Sequence, residues 1–193
     1  MVTEKKRIPK GSGRDKILRA ATELFLDHGF EATSPQAIYA KSGVGQGSFY
    51  YHFNSKIALM DCVLEGICTT IEQELVEITA ETDDPWQRIE LYLARRLRGT
   101  KGCRLGRFIY EDTSNSKEVS KHIDGYLKLI RGFLSENLLA TQHKQQISQK
   151  LSADSLADLI ITQIQGAYVL SRMQRDGNLL QQKLDELKVL LLK

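Results

Sequence analysis

At 193 residues, with 41% apolar and 26% charged side chains, the chain has the length of one ordinary domain, or of a small domain joined to a larger one. It can bury a core and is not a disordered tail. Its three cysteines, Cys62, Cys68 and Cys103, include no C-x-x-C pair, which argues against a disulfide framework and a zinc finger and for a reducing compartment. No apolar run approaches the ~20 residues of a membrane span, and nothing behind the basic N-terminus makes a signal peptide, so a cytoplasmic location away from membranes is expected.

The formal net charge of +3 is unevenly placed. Nine Lys/Arg face five Asp/Glu from Met1 to Lys56, eighteen face nineteen afterwards, and no acid occurs between Glu31 and Asp61. An acid-free segment suits a surface pressed against phosphates, although a short window also escapes acids by chance. Few prolines among many Leu, Ala, Glu, Lys and Gln favour helix.

In chain order, Lys5, Lys6, Arg7 and Lys10 form a basic arm, either a tracker of phosphates or the minor groove or a solvated leader. Ser12 or Gly13 opens a helix with Ile17, Ala20, Ala21, Leu24 and Phe25 on one face, stopped at Gly29. Thr33 or Ser34 caps a second, with Pro35 at its first position and Gly43 as terminator. A third covers Gln46 to His52. Asn54 or Ser55 starts one long helix to about Ala80, and Asp84-Pro85-Trp86 starts another. Gly99, Gly102 and Gly106 punctuate the next stretch, where "CRLGRFIYED" reads as a short helix. Ser114 or Ser116 opens a helix through "KEVSKHIDGYLKLIRGFLSENLLA", and "TQHKQQISQK" reads as a loop or frayed helix. Ser152 caps "ADSLADLIITQIQGAYVLSRMQRDG", and "NLLQQKLDELKVLLL" closes the chain. The pattern is all-α, with three short helices followed by about six more.

The stretch Ser42 to Phe53, "SGVGQGSFYYHF", admits several readings. It matches neither phosphate-cradling glycine motif and follows no strand, and it is not the G-x-S-x-G elbow. It fits the turn and second helix of a helix-turn-helix, whose reading helix enters the major groove. It also fits a glycine-rich turn before an aromatic core helix. Gly43 supplies the positive φ of the turn, and Ile38, Val44 and Phe49 pin the two helices. Phe49 and Phe53 face the core, while Tyr50, Tyr51 and His52 are left for phosphates and sugars. Gly45 and Gly47 leave the leading edge bare around Gln46, a base-edge candidate.

Residues Arg14 to Leu59, about a quarter of the chain, resemble the DNA-binding domain of the TetR family of bacterial transcriptional regulators. The matching pieces are "AATELFLDHGFEATS", "I-x-A-x-SGV" and "GSFYYHFNSK", in the family's order and spacing. The resemblance implies an all-α fold. Residues 1–54 would form an N-terminal arm and helix-turn-helix domain, and residues 55–193 a helical effector-binding and dimerisation domain. It places Thr33 and Ser34 at the backbone-contacting start of the second helix. Gln36, Gly45, Gln46, Gly47 and Ser48 fall at reading positions, and Tyr50, Tyr51, His52 and Lys56 at phosphate positions. Three residues depart from the family pattern. Tyr39 stands where a small residue is usual, Ala37 where an acid often precedes the isoleucine, and Gly45 where Ser or Thr often starts the reading helix.

On the last two helices, Leu156, Ile160, Ile164, Ala167 and Leu170 form one apolar stripe, and Leu180, Leu184, Leu187 and Leu191 another. Two such helices from each of two chains can make a four-helix dimer interface; alternatively both stripes face the chain's own core. "QGAYVLSR" is similar to the dimer helix of one TetR-family subgroup. "KGCRLGRFIYED" is similar to that subgroup's G-C-x-x-G…E segment, and some of its members lose activity when oxidants or electrophiles modify a cysteine. Lys101, Arg104 and Arg107 near Cys103 would favour a thiolate, which makes Cys103 a redox candidate; the plainer alternative is a small buried residue beside a glycine.

Trp86, Tyr92, Phe108, Tyr110, Tyr126, Phe133, Tyr168 and Met173 either line an effector cavity or belong to the core, and few charges on the apolar faces favour an apolar or aromatic effector. Together with these residues, the resemblance implies a repressor binding double-stranded palindromic operator DNA as a homodimer and released by a small molecule, with the long fourth helix as the lever between its domains. No catalytic residue, cofactor or metal ligand is expected, because His28, His52, His122 and His143 show neither carboxylate partners nor metal spacing. The rival classes are a helical enzyme and a helical adaptor without DNA binding.

Overall fold

A computed structural model describes residues 11–94, 103 and 105–192. Among them lie eight α-helices, two 3₁₀ helices and no strand, only an isolated antiparallel bridge between Ile147 and Leu192. Two compact units divide the chain, Met1–Val63 and Leu64–Lys193.

In the first unit, helix starts and stops follow from single side chains. Helix α1 (Gly13–His28) opens on a capping box in which the Ser12 hydroxyl accepts from the Asp15 amide and the Asp15 carboxylate accepts from the Ser12 amide, satisfying two donors of the first turn. That serine hydrogen bond is the main reason the Asp15 carboxyl sits below its usual pKa. At Gly29 the backbone turns to φ 95° and α1 stops. Helix α2 (Pro35–Ser42) has Ser34 as N-cap and Pro35 at its start, and it ends at Gly43, left-handed at φ 67°. Helix α3 (Gln46–His52) follows two residues later. Ile17, Phe25, Ile38, Phe49 and Phe53 fill the space between these helices.

Helix α4 (Lys56–Glu81) crosses from the first unit into the second without a break. In the second unit, Asp84 caps α5 (Pro85–Leu93), Ser116 caps α6 (Lys117–His143) and Ser152 caps α7 (Ala153–Gln174). Helix α8 (Leu179–Leu191) closes the chain. Ile89, Leu93, Phe108, Ile130, Leu134, Ile160 and Leu184 are among its most buried residues.

Two expectations gain detail. The short helix expected in "CRLGRFIYED" is of the 3₁₀ kind, Gly106–Tyr110, followed by a second at Asp112–Asn115. Of the segment 141–150, expected as a loop or frayed helix, the first three residues belong to α6, which continues to His143. Thr141 and Gln142 are buried there, and the Gln142 side-chain amide donates to the carbonyls of Ser148 (2.9 Å) and Leu151 (2.8 Å). A polar side chain in the last turn of α6 thus holds the following turn against the helix. Among the described residues no helix is long and apolar enough to cross a membrane, and no His/Cys/Asp/Glu group could hold a metal ion.

Candidate nucleic-acid interface

The α2–α3 turn is fastened through the carbonyl of Tyr39, which accepts from the Gly43 amide (3.0 Å) and the Ser42 hydroxyl (3.3 Å). A side chain at Gly43 would be strained at its positive φ. Beyond the turn, Gly45, Gln46 and Gly47 are all exposed, and a Cβ at either glycine would meet open space. Glycine is therefore not demanded there by packing within the chain. What it provides is a bare approach to the backbone.

The ring residues divide by helical period. Phe49 and Phe53 are buried, while Tyr50 is 49% and Tyr51 83% exposed. Ser48 and His52 lie on the side of α3 that faces the start of α1. A Cβ at Gly13 would stand 3.2 Å from the His52 ring nitrogen and 3.4 Å from the Ser48 hydroxyl, so Gly13 lets α1 begin close to α3. The exposed face thus brings together Ser34, Gln36, Gly45, Gln46, Gly47, Tyr50 and Tyr51, with Ser48 and His52 half-buried at its edge.

Two of the predicted contact residues turn inward. Thr33 is buried, and its hydroxyl donates to the Gly29 carbonyl at 2.6 Å; the helix cap is Ser34, whose hydroxyl accepts from the Ala37 amide at 3.2 Å. The Lys56 ammonium donates to the carbonyls of Phe30 (2.7 Å) and Thr33 (2.9 Å) and lies 4.1 Å from the Phe30 ring centroid. One cation thereby holds the whole α1–α2 connection, by charge-assisted hydrogen bonds and a cation–π contact. No local sequence pattern announces this, because the partners are 23 and 26 residues away. Lys41, the other cation of the acid-free segment, pairs with Glu23 at 2.8 Å on the surface, an interaction weak enough to yield to a phosphate. The arm residues Lys5, Lys6, Arg7 and Lys10 lie outside the described residues.

In the second unit, Leu156, Ile160, Ile164, Ala167, Leu180 and Leu184 are buried within the chain, Leu187 and Leu191 are half-buried, and of the two predicted stripes Leu170 is exposed. A different stripe of α7 looks outward: Leu159, Gly166, Val169, Leu170 and Met173, the last 75% exposed, with Val189 and Leu190 exposed on α8. Sequence period alone could not choose between the stripes, because α7 is apolar on more than one side.

Cys103 is buried; its sulfur accepts from the Gly106 amide at 3.3 Å and lies 3.9 Å from the Tyr126 hydroxyl. A Cβ at Gly106 would stand 2.8 Å from Gln165 Oε1 and 3.0 Å from Cys103 Cβ, which gives the C-x-x-G spacing a steric cause. Lys101, Arg104 and the Arg107 side chain lie outside the described residues. Of the aromatic residues considered for an effector cavity, Trp86, Tyr92, Phe108 and Tyr168 are buried and Tyr110 is exposed. Phe133 instead lines a groove of about 750 Å³ between α4 and α6, with Leu75, Val76, Leu129 and Gly132 beside it and the charged Glu72, Lys128 and Glu136 also in its lining.

Comparison with known proteins agrees with this geometry. Residues 17–63 match the model for bacterial regulatory proteins of the tetR family, and residues 92–185 match the LmrA/YxaF-like transcriptional regulator C-terminal domain. The chain carries the two domains of a TetR-family regulator. It is 27% identical over 175 residues to the HTH-type transcriptional repressor DhaR of Mycobacterium sp. strain GP1, covering 88% of this chain and 87% of that protein. It is 28% identical over 191 residues to an HTH-type transcriptional regulator in the lacX 3′ region of Lactococcus lactis, covering 91% of each. A TetR-family regulator from Agrobacterium tumefaciens shares the fold with a TM-score of 0.86 at 17% identity, over 94% of this chain and 98% of that one. The chain is a DNA-binding transcriptional regulator.

Proposed function

We propose that the protein is a repressor that binds a two-fold-symmetric operator as a homodimer and is released by a small molecule. The observation that carries this reading is the exposed, acid-free face of α2 and α3, with a bare glycine edge around Gln46 and two exposed phenols behind it. Gln46 reads base edges, with Gln36 beside it; Ser34, Tyr50, Tyr51 and His52 position the backbone. Gly45, Gly47 and Ser48 let the helix approach closely, and Thr33 and Lys56 act from inside by holding the frame. Dimerisation uses the outward stripe of α7 with Val189 and Leu190 of α8, because contiguous apolar surface of this kind marks a partner. Gly166 in its middle lets a second helix approach closely.

The effector occupies the α4–α6 groove, whose apolar walls suit an apolar or aromatic molecule. One of its walls is α4, the helix that also belongs to the DNA-reading unit, and a coupling of ~1–3 kcal/mol would suffice for release. Gly132 has open space at its Cβ position, so Gly132→Leu should fill the groove, leaving DNA binding intact and abolishing the effector response. The reading as a whole is tested by fluorescence anisotropy with duplex from upstream of the protein's own gene, beside a scrambled duplex and a salt series. Sequence-preferring binding with two subunits per site is the expected result; equal weak binding to both duplexes would overturn it.

A second reading rests on the Gly106 amide and Tyr126 hydroxyl about the Cys103 sulfur: oxidants or electrophiles that modify Cys103 would displace these partners and release DNA. Cys103→Ser should then abolish oxidant-driven release while leaving DNA affinity unchanged.

A further inference from the structure

The groove between α4 and α6 has two unlike ends. Midway along α4 the Cys68 sulfur lies 3.9 Å from the His122 carbonyl oxygen of α6, and just past the end of α4 Asp84 pairs at 2.9 Å with Lys144, the C-cap of α6. The two helices therefore run in the same direction along the groove. Glu72, four residues on from Cys68, and Lys128, six on from His122, share its first end, where opposite charges offset each other. Thr79 and Ala80 share the far end with Glu136. No hydrogen bond or ion pair engages the Glu136 carboxylate among the described residues. Two cations stand towards that end, and both are taken. Arg88 donates to the carbonyls of Thr79 (3.2 Å) and Thr82 (2.8 Å) and lies 3.7 Å from Asp83, while Lys144 holds Asp84. Phe133 precedes Glu136 by three residues, a spacing that makes side chains neighbours on a helix. Its ring meets that of Tyr92, buried on α5, at 5.9 Å between centroids, so this aromatic wall of the groove is braced.

We propose that the effector is a cationic amphiphile, with an ammonium head between the Glu136 carboxylate and the Phe133 ring and an apolar body laid along Leu129, Leu75 and Val76. The proposal rests on the reading of this groove as the effector site. The two groups call for the same head for different reasons. A carboxylate without a partner gains by meeting a positive charge, and an aromatic ring attracts that charge through its quadrupole. An anionic head gains nothing there, because Glu136 repels it and at the other end Glu72 competes for Lys128. A neutral head leaves Glu136 to water. Lys128 and Glu136 are eight residues apart, about 12 Å along a helix, which gives room for a decyl chain between the two ends.

The test holds the tail constant and varies the head. Decyltrimethylammonium, decyl sulfate and decanol are titrated calorimetrically into the full chain, each below its micelle-forming concentration. The cation is expected to bind about tenfold more tightly than the other two, and added salt should narrow its lead while leaving decanol unmoved. Glu136→Gln should remove most of that lead, and Glu136→Lys should put decyl sulfate first. Position 136 is exposed, and thermal denaturation checks that both variants fold as the wild type does. Equal affinities for the three heads, a lead for the sulfate in the wild type, or a lead for the cation that survives Glu136→Gln undiminished would each overturn the cationic effector. If Gly132→Leu still blocks the binding in such a case, the groove stands as the effector site. Binding that Gly132→Leu leaves intact, or no binding of any of the three, would overturn the groove as that site, and the proposal with it.

Discussion

Tyr50 and Tyr51 on α3 and Leu170 and Met173 on α7 are all large side chains left in water, yet they offer different things. The phenols each carry a hydroxyl and stand in a segment without a single acid from Ala32 to Met60. The α7 residues carry no polar group able to pair, and their neighbours Leu159 and Val169 extend the same dry surface. In the first unit, polar side chains that could have faced solvent, Thr33 and Lys56, are spent on backbone carbonyls inside the fold. In the second, apolar side chains that could have entered the core remain outside it. The contrast separates a face suited to a hydrated polyanion from one suited to another apolar surface, although both expose comparable bulk.

The harshest way to break the comparison is to give the α7 face a charge. Leu170→Glu should weaken dimerisation by about a hundredfold or more, since a carboxylate must be desolvated or hold the partner away. Sedimentation velocity should then show monomers at concentrations where the wild type is dimeric, and an unchanged distribution would rule the stripe out. A smaller effect is expected in the first unit. Lys56→Met should destabilise it by about 2 kcal/mol, as charge-assisted hydrogen bonds to two carbonyls are lost, a shift readable by chemical denaturation. Because the amine points inward, the salt slope of DNA binding should not change; a drop of about one would return Lys56 to the phosphates. The gentlest test sits one residue from the first. Ser171 is fully buried with no hydrogen-bond partner for its hydroxyl, so Ser171→Ala should leave stability unchanged or raise it by up to about 1 kcal/mol. Opposite outcomes at 170 and 171 would mark where the outward face of α7 turns inward.

How much of this could be read from the sequence depends on the range of the interaction that decides it. Ser12, Ser34, Asp84, Ser116 and Ser152 all cap the helices they precede, because a cap acts within three residues and leaves a local signature. Gly43 and the division of Phe49 and Phe53 from Tyr50 and Tyr51 were legible for the same reason. Lys56 and Thr33 were not: each is decided by a carbonyl made available only when α1 ends and the chain doubles back. The 3₁₀ helix at Gly106 escaped because its tight approach to Cys103 and Gln165 depends on an element about 60 residues later. On α7, several positions are equally apolar, and only the packing of α6 and α8 decides which of them face inward.

The place where α4 passes from one unit to the other has a practical consequence for anyone wishing to separate them. Between Val63 and Leu64 the backbone is helical, with α4 running on from Lys56 to Glu81, so its amides and carbonyls are committed to one another rather than to an extended, accessible strand. Proteases cut where several residues can unfold into their active sites, and this junction provides no such stretch. Digestion should therefore leave the two units joined. A recombinant fragment ending at Val63 would keep only the first eight residues of α4, Lys56 to Val63, too short a helix to hold without packing.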